Sequence, residues 1–138
     1  MHRIFATALL PLLAAAFFGC DRNEGYPGTT GRNGDDAKTV EMTDSHTFKP
    51  MDVTIKAGES ILWKNASKDV HTVSTEARAP ARKDWVLLPE GAKAFHSGDL
   101  RPGETWRHTF TVAGTYKYVC THHEEHGMMG TITVKARN

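Results

Sequence analysis

The chain has 138 residues, of which 24% are charged and 39% hydrophobic, and a formal net charge of +1. That length holds one domain and a short appendage. Acids and bases are interspersed rather than gathered into a basic stripe, which argues against nucleic acid as a partner.

Met1-His2-Arg3 leads into an almost wholly apolar run from Ile4 to Phe18, closed by Gly19-Cys20. A positive start, a short apolar stretch and a small residue describe a secretory signal over residues 1–20, because a membrane span needs about 20 apolar residues. The ending resembles a bacterial lipoprotein signal, which implies lipidation of Cys20 and a new N-terminus there. Phe17 and Phe18 depart from the Leu and small residue that such signals prefer. The plainer alternative is cleavage nearby, with Cys20 discarded or left as a thiol. With Asp21 next to the anchor, the resemblance implies retention at the inner membrane, facing the periplasm. Residues 21–38 are rich in Gly, Asn and Asp and nearly free of aliphatics, so they read as a flexible tether.

From Thr39 the pattern changes to short alternating runs, and residues 39–138 form the domain. Thr39–Thr43, Met51–Lys56 and Ser60–Lys64 read as strands, followed by His71–Thr75, Thr105–Thr111, Tyr116–Cys120 and Thr131–Lys135. Phe48-Lys49-Pro50 and Leu100-Arg101-Pro102-Gly103-Glu104 are turn signals. Such a series predicts an all-β, antiparallel β-sandwich. Residues 76–94 give the weakest signal. Two prolines break any long helix there, and Trp85–Leu88 fits either a short strand or one helical turn.

The chemistry is concentrated after the strand that ends at Cys120. The loop reads Cys120-Thr121-His122-His123-Glu124-Glu125-His126-Gly127-Met128-Met129, and a further strand follows. A Cys20–Cys120 disulfide would drag a tail residue into this loop. Cys120 is therefore a lone thiol that needs an explanation, and metal ligation supplies one. Thiolate, imidazole and thioether together suit copper, and two His, one Cys and a weak axial Met make a one-electron site. The loop supplies a Cys, one of three His and one of two Met. A second His must come from elsewhere.

Cys120-x2-His123-x4-Met128, preceded by Gly114-Thr115-Tyr116 and followed by Gly130 and a strand, resembles the copper loop of plastocyanin and pseudoazurin, which are cupredoxins. The resemblance spans roughly residues 39–138 and implies a Greek-key sandwich around one type 1 copper ion. It assigns His71, Cys120, His123 and Met128 as the metal ligands, His71 by its place after Trp63-Lys64-Asn65. It leaves Met129 in the core, and makes the amides around Asn65, Ala66 and Met128 the donors to the sulfur. Thr72 stands where the family commonly has Asn, which alters the link between the two ligand loops. His122 replaces a common Pro. With His126, Glu124 and Glu125 it makes either a second, weaker metal site or a polar docking edge, and the latter is the simpler reading. His46, His96 and His108 read as surface or strand residues.

Four protein ligands leave no open coordination position, which suits electron exchange and not catalysis. The expected function is an exported blue copper protein that shuttles single electrons through the exposed edge of His123, amid an apolar or mixed patch. Its partners would be transient redox proteins, and the chain itself a monomer. Val119 and Thr121 flank Cys120, so the His neighbours that wire copper oxidases are absent, and a binuclear centre would need two loop cysteines. The serious alternative is a periplasmic module that delivers or buffers copper, with His122 and His126 as a capture rim.

Overall fold

The computed structural model describes residues 37–138; the signal-like segment and Cys20 lie outside the described residues, as does the tether up to residue 36. Seven strands carry the fold: β1 (Lys38–Met42), β2 (Phe48–Lys49), β3 (Asp52–Lys56), β4 (Ser60–Asn65), β5 (Thr105–Thr109), β6 (Gly114–Val119) and β7 (Met129–Lys135). One sheet has the order β2-β1-β4-β5 and the other β3-β7-β6.

Alternation decides which side chains enter the core, because successive residues of a strand point to opposite faces. Val40 and Met42 of β1, with Ile61 and Trp63 of β4, meet Val53 and Ile55 of β3, Tyr116 and Tyr118 of β6, and Ile132 and Val134 of β7. Tyr118 sits edge-on to Trp63, with ring centroids 5.6 Å apart. Gly130 lies opposite Tyr118 in the β6–β7 ladder. A Cβ at that position would collide with the Tyr118 ring, so the glycine is required by space.

The all-β sandwich is as expected, but its sheets are mixed rather than antiparallel. β1 runs parallel to β4, with Val40 opposite Trp63. β3 runs parallel to β7, with Val53 opposite Ile132. The reason is the crossover: β3 belongs to the second sheet, so the chain leaves the first sheet after β2 and returns as β4 in the direction of β1. Local alternation reports which face a residue takes and says nothing of strand direction.

Two other segments differ from expectation. His71–Thr75 forms no continuous strand; His71 pairs singly with Leu100, and Ser74 with both His96 and Val119. The Ser97 hydroxyl takes the Val73 amide at 2.9 Å, interrupting the ladder. Residues 76–94 use both of their possible forms in succession. Pro80–Trp85 makes a short 3₁₀ turn, with the Arg82 guanidinium 4.2 Å from the Trp85 ring centroid. Leu87 then exchanges backbone hydrogen bonds of 3.1 and 3.0 Å with Lys117 of β6.

Candidate metal centre

Cys120 follows directly on β6, where strand pairing holds its backbone. Val119 exchanges hydrogen bonds with Ser74, and the Cys120 amide donates to Met128 O at 3.0 Å, which ties the two ends of the loop together. Inside it, the His123 amide donates to Cys120 O at 3.1 Å and the Met128 amide to His123 O at 3.3 Å. Gly127 takes φ 75°, the left-handed conformation that lets Glu124–His126 turn back into β7.

This frame brings three donors together. Cys120 and His71 are fully buried. The Cys120 sulfur lies 3.6 Å from His71 Nδ1 and 3.4 Å from His123 Nδ1. All three ligand atoms fall within 4.8 Å of one another, and among the described residues this is the one such cluster of His, Cys, Asp or Glu. Met128 is fully buried in the same core cluster as Cys120, while half-buried Met129 begins β7 opposite Val119.

The surroundings fix how these groups present themselves. The Ser67 hydroxyl lies 2.8 Å from Asn65 Oδ1 and 2.8 Å from His71 Nε2. Its one proton goes to Asn65 Oδ1 or to Asp69 O at 3.2 Å, and in either case the hydroxyl accepts from His71, with the ring proton on Nε2 and the Nδ1 lone pair facing the sulfur. Asn65 is itself fixed, its Nδ2 donating to Asp69 O at 2.7 Å and Leu100 O at 2.9 Å. Burial, and then the neighbouring His123 and His46, push the His71 pKa down to about 4. Burial first and then His46 lower that of His123. Both imidazoles are thus neutral near pH 7, the form in which histidine binds metal.

Thr72 links the two ligand segments. Its amide donates to the Cys120 sulfur at 3.4 Å. Its hydroxyl accepts the Thr121 amide at 2.8 Å. The expected sulfur donors are otherwise engaged: the Asn65 amide bonds Glu104 O, that of Ala66 bonds Met42 O, and that of Met128 bonds His123 O. The backbone donor to the sulfur is Thr72.

The loop histidines and glutamates separate into distinct roles. His122 lies 2.7 Å from Asp99, which holds it to the neighbouring loop. The buried Glu124 carboxylate accepts the amides of Arg78 and Ala79 at 2.6 and 2.9 Å, and Arg82 donates to its backbone oxygen. Glu124 is therefore a clasp for residues 76–85 rather than part of a polar rim. His96 and His108 stand as expected, His96 bridged to Ser74 and His108 on β5. His46 does not: its ring stacks on His123 with centroids 4.0 Å apart and planes at 12°. No sequence signal marks that contact, because His46 lies in a five-residue polar turn far from the loop. The surface beside His123 consequently carries the imidazoles of His46 and His126, and Met128 contributes nothing to it, being fully buried.

A buried thiol and two neutral imidazoles whose Nδ1 atoms converge on it, within a two-sheet β-sandwich, define a cupredoxin centre. Comparison with known proteins agrees. The family model "Copper binding proteins, plastocyanin/azurin family" matches residues 35–135, and the chain belongs to that family. It is 41% identical over 90 residues to plastocyanin of Scenedesmus fuscus, covering 64% of this chain and 86% of that one. It is 36% identical over 93 residues to plastocyanin of Sambucus nigra, covering 65% and 89%. Against chloroplastic plastocyanin of Tetradesmus obliquus it is 34% identical over 90 residues, spanning 58% of that chain's length. An oxidised single-site mutant of amicyanin superposes with TM-score 0.57 at 26% identity, covering 75% of this chain and 87% of that one. A purple cupredoxin from Nitrosopumilus maritimus shares the fold, with TM-score 0.55 at 21% identity over 71% of this chain and 99% of that one. The cofactor that the family and this donor set call for is one type 1 copper ion.

Proposed function

We propose that the protein is a single-electron carrier in which His71, Cys120, His123 and Met128 hold copper. The observation that supports it most is the convergence of His71 Nδ1, His123 Nδ1 and the Cys120 sulfur within 4.8 Å inside a rigid frame. Copper bound by such donors alternates between Cu(II) and Cu(I) without needing a free coordination position. The residues do the rest. Asn65 and Ser67 hold the His71 ring, Thr72 donates to the sulfur, and the Cys120–Met128 backbone bond closes the loop. This frame presents nearly the same geometry to both oxidation states, which suits transfer and not substrate turnover. Partially exposed His123 offers the route in and out, to redox proteins that dock transiently.

Export belongs to the same reading and rests on residues 1–20, with Cys20 as the lipid anchor that holds the domain on the periplasmic face of a membrane. Copper delivery is less favoured, since His122 is committed to Asp99 and His126 lies against His46. The test is an absorption spectrum with voltammetry of the copper-loaded protein. An intense blue band and reversible one-electron cycling are expected, and Cys120→Ser should abolish the band. A colourless, electrochemically inert copper protein would refute the reading.

A further inference from the structure

The stack of His46 on His123 is supported from three separate parts of the chain. His46 takes φ 52°, a left-handed conformation that residues other than glycine enter rarely and at a cost. Its amide donates to Thr43 O at 3.0 Å, and the Thr43 amide donates to Thr47 O at 3.1 Å, so the turn that raises the ring is closed by hydrogen bonds. Its Nε2 lies 3.2 Å from an Asp69 carboxylate oxygen, two residues before His71. On the ligand loop, the His126 ring stands 4.6 Å from that of His46. Glycine or asparagine would serve this backbone at lower cost. The backbone alone does not require histidine, so what the histidine adds here is the stacked ring.

We propose that His46 is a positioning residue for His123 and a second ring on the electron path. The stacked ring fixes the plane of His123, and the redox partner meets the His46 imidazole as well as the edge of His123. One electron leaves the reduced centre across the two rings to a docked one-electron acceptor, or enters from a donor by the same route. No bond is made or broken and no proton moves. The inference rests on the reading of His123 as a copper ligand.

His46→Asn and His46→Phe in the full-length protein test it. Asn removes the ring and tolerates the left-handed backbone; Phe keeps a flat ring and loses the bond to Asp69. With hexacyanoferrate(III) as the oxidant, H46N should keep the parental blue band and transfer its electron more slowly than the parent. H46F should stay close to the parental rate. In the metal-free protein, the His123 ring protons should move downfield in H46N and stay upfield, at or beyond their parental positions, in H46F. A parental rate in H46N, His123 resonances that do not move in H46N, or an H46F variant that keeps the upfield His123 resonances yet is as slow as H46N would overturn the inference and leave the copper assignment standing. A parental protein with no blue band would overturn both.

Discussion

The Thr72 hydroxyl accepts the Thr121 amide at 2.8 Å, so the segment bearing His71 and the loop opened by Cys120 are joined one residue away from each. Thr72 is buried, and its removal leaves the Thr121 amide without this partner. Thr72→Ala should therefore cost about 1 kcal/mol of stability, the net worth of a typical hydrogen bond. Urea denaturation of the metal-free protein measures it, and an unchanged midpoint would show that the bond has no structural weight.

Ser67 bears on metal affinity instead. Without its hydroxyl, His71 Nε2 loses the acceptor that fixes its proton and ring plane. Ser67→Ala should weaken copper binding by about 10–100-fold, as loss of such supporting partners commonly does. Competition against a chelator of known affinity reads this directly.

Acid should destabilise the metal-free protein. The His71 pKa is lowered to about 4 by burial and by its neighbouring imidazoles. Burial lowers His108 in the same direction. Above the unfolded-state value of about 6.5 both states are neutral and nothing is lost. As pH falls below it, the unfolded chain takes up protons that the folded chain refuses, so stability declines until His71 itself titrates near 4. The denaturation midpoint should be lower at pH 4.5 than at pH 7, and a flat profile would contradict the assignment.

Gly130 should tolerate no side chain, because a Cβ there meets the Tyr118 ring. Gly130→Ala should destabilise by about 1–3 kcal/mol through overpacking, visible as a fall in Tm. A parental Tm would mean that the ring can move aside.

Breaking the Glu124 clasp should loosen residues 76–85 selectively. Glu124→Ala removes the acceptor for the Arg78 and Ala79 amides. Those two amides should exchange hydrogen faster, while protection in β6 and β7 is retained. Unchanged exchange at Arg78 and Ala79 would show that the segment is held by other contacts.

The strand series and the Cys120–Met128 loop were legible because their signals are local: alternation of two, a thiol at a strand end, and fixed spacing to His123. Pairing of His71 with that loop came through resemblance alone, and the structure brings its ring to 3.6 Å from the sulfur. What escaped was non-local. The parallel direction of β1 against β4 follows from a crossover that neither strand's sequence records. Thr72 replaced the expected amides at the sulfur because its hydroxyl and its amide serve both loops at once. His46 carries no such local signal, because a histidine in a polar turn looks the same in sequence whether its ring meets solvent or another ring.

The excursion through residues 76–94 leaves its mark on β6, whose outer side faces no further strand of its sheet. Such an open edge presents unpaired amides and carbonyls to any other chain. Leu87 takes up the backbone groups of Lys117, and Ser74 those of Val119, so most of that edge is already spoken for. Leu87, with Ser74 just ahead of the excursion, thereby guards against intermolecular strand addition on the strand that leads into Cys120.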